Sequence, residues 1–223
     1  LSSRAAYLGI IVCIIIGLIL LIYKRFKSKK TVFKYSRVLI LLYIIPCIMA
    51  YSYSSSQIDK DDVGNINTRV SSIVSQNDES KNTRLRYYSQ SINHIVKNPI
   101  LGAGIGNWKI LSIFYDKQNI RNYVIPYNAH NDILEATSET GILGGVFFTA
   151  FFIIIFNLIL KGFSIKSDNV YNFNFSMLCL FAFIIYFIDL NLNFPSSRPF
   201  NLYLLLLLVS IIYISNLRVD EKK

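Results

Sequence analysis

The chain has only two histidines, three cysteines and one tryptophan in 223 residues. His94 and His130 form no HExxH arrangement, so a zincin-type metal site is not supported. Cys13, Cys47 and Cys179 fall in three different apolar runs, which leaves neither a zinc spacing nor a disulfide framework. There is no Walker A loop and no nucleophile elbow, so the phosphate-loop and serine-hydrolase readings fall away. Acid is scarce too: 13 Asp and Glu stand against 23 Lys and Arg, a net charge of +10.

What the chain has in plenty is apolar sequence without charge. It is 53% hydrophobic with a mean hydropathy of +0.42, above the roughly 45–50% apolar share of a soluble domain. Residues 5–23, 38–53, 141–160 and 200–217 contain no charged side chain, and 175–190 contains only Asp189 near its end. About 20 apolar residues in a helix cross a bilayer. The expected fold is therefore all-α and polytopic, with five transmembrane helices.

Basic residues orient the spans. The first connection carries Lys24, Arg25, Lys27, Lys29, Lys30, Lys34 and Arg37 with no acid; Lys161 and Lys166 follow the third run, and Arg218, Lys222 and Lys223 the last. Alternating spans put these segments on one side, expected to be cytoplasmic. Residues 54–140 and the 191–199 turn then face the periplasm. The positive charge reads as topology and contact with anionic membrane lipids, not as a nucleic-acid surface.

The stretch 54–140 holds nine basic and nine acidic residues. A connection this long is either functional or disordered. Residues 83–98 read as an amphipathic helix with Leu85, Tyr88, Ile92, Ile95 and Val96 as its packed stripe, Asn82 as a possible cap and Pro99 as its stop. Arg84 falls beside the stripe and Arg86 opposite it, toward water. His94, on the same helix, reads as structural or surface. Gly102, Gly104 and Gly106 suit a tight turn into a short helix bearing Trp108, Leu111 and Tyr115, with the aromatics at the membrane interface. In "PYNAHNDILEATSETG", residues 126–141, Asp132 and Glu135 have capping-box spacing. His130 and Asn131 then precede a helix start, where an anion is favoured and a histidine stays neutral, so His130 reads either as a general base or as a histidine that only hydrogen-bonds within the loop.

The order of motifs resembles the O-antigen ligase and polymerase superfamily of bacterial membrane glycosyltransferases. The resemblance rests on Ser3-Arg4 before a span, Arg84 four residues before an aromatic (Tyr88, where the family usually has Trp), and Asn98-Pro99-Ile100-Leu101-Gly102-Ala103-Gly104. It continues through Ala129-His130-Asn131, Glu139-Thr140-Gly141-Ile142-Leu143-Gly144 and Asn193-Phe194-Pro195. It covers nearly the whole chain. Family members have about twice as many spans, so the chain is expected to be the C-terminal half of such a protein, partnered by an N-terminal half.

The resemblance implies a GT-C-like helical bundle in the inner membrane, with a periplasmic loop, 54–140, carrying the active-site motifs. It implies transfer of a glycan from undecaprenyl diphosphate to a hydroxyl of lipid A–core or of another lipid-linked glycan, with no cofactor and no metal. Arg4 and Arg84 would grip the diphosphate, with Arg198 a further contact. His130 would take the acceptor's proton, and Asn131, Asp132 and Glu139 would support the site or the fold. Two other classes remain: a membrane transport protein, which would place charge pairs inside the spans, and a non-catalytic subunit of an assembly complex, in which Arg4, Arg84 and His130 would be dispensable together.

Overall fold

The computed structural model describes residues 4–27, 79–120, 125–163 and 170–220. The second expected span at 38–53, the basic connection beyond residue 27 and the stretch 54–78 lie outside the described residues. So do the side chain of Arg4 and residue Ser3.

Six α-helices make up the described chain: α1 (Arg4–Lys27), α2 (Glu79–Lys97), α3 (Trp108–Tyr115), α4 (Asp132–Gly162), α5 (Val170–Leu192) and α6 (Pro199–Asp220). A 3-10 turn, Pro195–Ser197, joins α5 to α6. No strand occurs among the described residues. Three helices are long and apolar enough to cross a membrane, Asp132–Gly162, Phe173–Leu192 and Pro199–Asn216; α1 contributes the shorter apolar stretch Leu8–Leu20. The chain is a polytopic helical membrane protein.

α5 is the centre of the bundle. It buries more of its apolar side chains than α4 does, and α4 more than α6. α4 and α6 close on one side of it through Phe152, Ile155, Ile159, Phe183, Leu190 and Leu205. α1 packs antiparallel along α5, with Ile16 and Leu20 against the same cluster. Gly9 lies against Ile185, Gly17 lies against Phe181 and Met177, and the Cys13 thiol donates to the Phe181 carbonyl at 3.7 Å. Small residues one helical turn apart let the two backbones approach, as lipid-embedded helices require. This register carries the first residue of α1, Arg4, to the level of residue 190 on α5.

α4 contains a break. Gly141 has φ 76° and ψ 178°, a conformation that only glycine adopts without strain. The break admits the glycine-rich loop after α2. The Ile142 N–H donates to the Pro99 carbonyl at 2.8 Å, while the N–H groups of Ala103 and Gly104 donate to the carbonyls of Ser138 and Glu139 at 3.0 and 2.8 Å. Gly102 and Gly104 have positive φ as well. The short helix expected after this turn is α3, and the Glu139 carboxylate accepts from the Trp108 N–H at 2.9 Å, at its first turn. Two motifs far apart in sequence are thus one main-chain junction.

Several expectations are corrected. α2 starts at Glu79, so Asn82 lies inside it and does not cap it; the stop before Pro99 holds. The packed face of α2 is Tyr87, Gln90, Ser91 and His94, whereas Leu85, Ile92 and Val96 are 53%, 50% and 74% exposed. Inside a membrane protein the apolar stripe need not face the core. Here α2 meets the polar start of α4 and the inner side of α3. Arg86 does not sit free in water, because its Nε lies 2.9 Å from an Asp116 carboxylate oxygen. Trp108 is 1% exposed, packed with Tyr87 and Ala129 rather than placed at an interface. His94 is buried, with Nδ1 3.4 Å from both the Asn98 amide and the Tyr115 hydroxyl, in keeping with a structural role.

Candidate active site

His130 is the junction of three elements. It is the only non-glycine residue with positive φ among those described, at 60°, an uncommon conformation outside Asn, Asp and His. Four contacts hold the chain there. The Ala129 N–H donates to Glu135 Oε2 at 2.7 Å, and the Asn128 amide donates to Glu135 Oε1 at 3.3 Å and to Ser197 Oγ at 3.0 Å. The Tyr88 hydroxyl lies 2.9 Å from the main-chain carbonyls of both His130 and Asn191, and can give its single proton to either.

The imidazole stacks on Tyr87, with ring centroids 6.2 Å apart and 13° between planes. The ring of Phe194 meets it edge-on at 5.1 Å. Its Nδ1 is buried and has no hydrogen-bond partner among the described residues. Burial pushes its pKa below the ordinary histidine value, and the positive charges of Arg84 and Arg198 push it further down. Burial raises the Tyr88 hydroxyl, while Arg84 pulls it back. Arg84, on the Tyr88 edge of α2, and Arg198, exposed after the 3-10 turn, therefore both act on His130. The Arg198 guanidinium sits 4.5 Å over the Phe194 ring, which anchors that cation beside the histidine.

The cap of α4 is one residue earlier than expected. Asn131 is the N-cap, extended at φ −157° and ψ 107°, and its side chain accepts from the N–H groups of Ile133 and Leu134, at 3.1 and 3.0 Å. Asp132 instead accepts from the Ser196 N–H at 2.9 Å and ties the 3-10 turn to α4. Glu135 reaches back past the cap to Ala129. The helix end is consequently no open anion cradle, since the side chain of Asn131 takes two of its donors. Glu139 faces away, toward α3.

The described structure brings His130, Arg84 and Arg198 together, with Asn131 and Asp132 supporting the loop. Arg4 is placed only by its backbone, at the level of α5 where Tyr88 meets Asn191. Asn128 and Tyr87 were not singled out from sequence, and Phe194 entered only as part of the Asn193-Phe194-Pro195 motif. The nearest signal was the acidic spacing of Asp132 and Glu135, read as a capping box. Among the described residues no group of three or more His, Cys, Asp and Glu is placed to hold a metal ion. A neutral imidazole between two guanidinium groups can accept a proton beside a bound anion.

The family model described as O-antigen ligase matches residues 1–149. The chain belongs to this family. Membership assigns it to glycosyl transfer in polysaccharide assembly, by a membrane protein of glycosyltransferase-like ligase or polymerase type. The match takes in Arg4, Arg84, His130, Asn131, Asp132 and Glu139; Phe194 and Arg198 lie beyond it. No curated protein matches the chain.

Proposed function

We propose that the chain transfers a glycan from undecaprenyl diphosphate to an acceptor hydroxyl, on lipid A–core or another lipid-linked glycan, at the periplasmic face of the bacterial inner membrane. The observation that carries this reading is the buried Nδ1 of His130, which has no hydrogen-bond partner among the described residues; burial and two arginines lower the pKa of this imidazole. In the step itself, the acceptor oxygen bonds to C1 of the donor's first sugar while the bond from C1 to the diphosphate oxygen breaks. The electron pair leaves with the diphosphate, and the acceptor's proton passes to His130. Arg84 and Arg198 hold the diphosphate and stabilise the charge that develops on it. Arg4, at the start of α1, is assigned the same purpose. Asn131 and Asp132 hold the loop, and Glu139 holds the α3 junction.

The full-length protein, reconstituted with a lipid-diphosphate glycan and separate lipid A–core and lipid-linked acceptors, tests this. Product on the first acceptor marks a ligase and on the second a polymerase. No product on either, from a protein shown to be folded, or undiminished product from His130→Ala, sinks the reading. For orientation, Lys60→Cys should react with an impermeant thiol reagent from outside, and Ser28→Cys should not.

A further inference from the structure

The loop between α2 and α3 is rigidly fixed and yet turns its largest side chains outward. Ile100, Leu101 and Ile105 are 79%, 82% and 84% exposed. They are not on a floppy tip, since the main-chain bonds from Ala103 and Gly104 to Ser138 and Glu139, and from Ile142 to Pro99, clamp the loop to the α4 break. Clustered aliphatic groups held in water by a rigid frame mark a surface that something apolar covers.

The position of the clamp says what covers it. Ile142 is the first residue past the break, where the uncharged run 141–160 begins. On that helix Leu143 and Phe147 are 67% and 69% exposed, as lipid-facing side chains of a span are. A helix rises about 1.5 Å per residue, so a loop bonded at Ile142 sits level with the first turn of the lipid-facing surface. The exposed apolar side chains of the loop are thus held at the level of those at the start of the α4 span. The cations nearby fit the same setting. The Lys97 ammonium lies 5.7 Å from the Tyr115 ring centre and that of Lys117 4.8 Å from the Phe114 ring centre. An aromatic body with a cation beside it is how side chains settle at the level of phosphate headgroups.

We propose that Ile100, Leu101 and Ile105 insert into the bilayer leaflet at the α4 N-terminal end, so that the loop is a membrane-embedded lip rather than a water-exposed connection. The occupant is the lipid itself, with acyl chains against the aliphatic groups and anionic headgroups against the lysines. The proposal does not depend on the catalytic reading, because lipid contact is measured without turnover.

A spin label tests it in the full-length protein in lipid nanodiscs, with native cysteines replaced and a single cysteine at Leu101→Cys or, independently, Ile105→Cys. Leu143→Cys on the span and Gln118→Cys on the polar side of the loop after α3 serve as references. The expected result is high collision with dissolved oxygen and low collision with a water-soluble nickel chelate, matching position 143. Collision with nickel at the level of position 118 would place the loop in water and overturn the proposal. Low collision with both would mean that protein covers the loop, either residues outside those described or another chain, and would overturn it equally.

Discussion

Arg86 and Asp116 form an ion pair at 2.9 Å in which the Asp116 side chain is 3% exposed and the Arg86 side chain 37%. Asp116 also accepts from the amides of Gln90 and Asn119, both at 3.0 Å. The guanidinium of Arg86 lies 5.5 Å from the centre of the Tyr87 ring, and Tyr87 stacks on His130. The pair therefore fixes α2 against the C-terminal end of α3 and sets the aromatic face on which the histidine rests.

Two arginines on α2 should consequently fail in different ways. Arg86→Ala leaves a buried carboxylate without its cation. Breaking a fully buried pair costs about 3–5 kcal/mol; partial exposure of Arg86 reduces this to on the order of 2 kcal/mol. Arg84→Ala should leave the melting temperature nearly unchanged and lower transfer instead. Arg84→Lys should recover little, since an ammonium lacks the planar fork. Thermal unfolding and transfer measured on the same preparations decide this. An unchanged melting temperature for Arg86→Ala would show that the pair does not hold the two helices.

Glu135 is the staple under the histidine. Glu135→Ala leaves the Ala129 N–H without its acceptor, worth about 1–3 kcal/mol, and frees the backbone at His130 from its positive φ. The expected signature is a fall in kcat with little change in KM, because the histidine is displaced while the arginines stay. Glu135→Gln keeps an oxygen for Ala129 and should retain more activity than the alanine variant. Equal loss in both would point to the carboxylate's charge rather than its geometry.

The break at Gly141 gives a contrast between two glycines. A Cβ at Gly141 would lie 2.1 Å from the Ile100 carbonyl oxygen, whereas one at Gly106 would meet nothing within 4 Å. Gly141→Ala should destabilise by on the order of 3 kcal/mol or more, combining backbone strain with forced separation of the loop. Gly106→Ala should cost only about 1 kcal/mol, from its positive φ. Similar melting temperatures for the two variants would mean that the loop does not depend on the break.

Much of this architecture was legible in the sequence, and the gaps have physical causes. Length and absence of charge suffice to identify α4, α5 and α6 as spans. The short helix after the glycine turn also followed from local chemistry. The choice between Asn131 and Asp132 as cap did not, because both side-chain types cap equally well and their donor sets overlap at Leu134; the extended backbone of Asn131 decides it. The buried face of α2 was missed because apolar spacing was assumed to point inward. At a membrane surface Leu85, Ile92 and Val96 can stay outside while Ser91, His94 and Gln90 find partners within. No local pattern announces that Pro99 and Gly102 would seat themselves against Glu139 and Gly141, since that contact is made by backbone alone.

The pH profile of transfer separates the roles at His130. If it is the base, His130→Ala lowers transfer by about 10²–10⁴-fold, and His130→Gln gives no rescue, because an amide does not take up a proton at neutral pH. Burial and the two arginines depress its pKa, so activity should persist below the ordinary value of about 6.5 and fall only as pH drops through the lowered one. The same shift makes folding stability decline once pH passes below about 6.5, where the unfolded chain binds the proton more readily, and level off beneath the folded-state pKa. Removing a neighbouring cation makes the imidazolium easier to form. Arg198→Gln should therefore move the acid limb of the profile to higher pH, toward 6.5, even at saturating donor. An acid limb that stays in place in Arg198→Gln would show that the arginine does not act on His130. Absence of an acid limb in the native protein, with activity retained in His130→Gln, would make the histidine an orienting donor rather than a base.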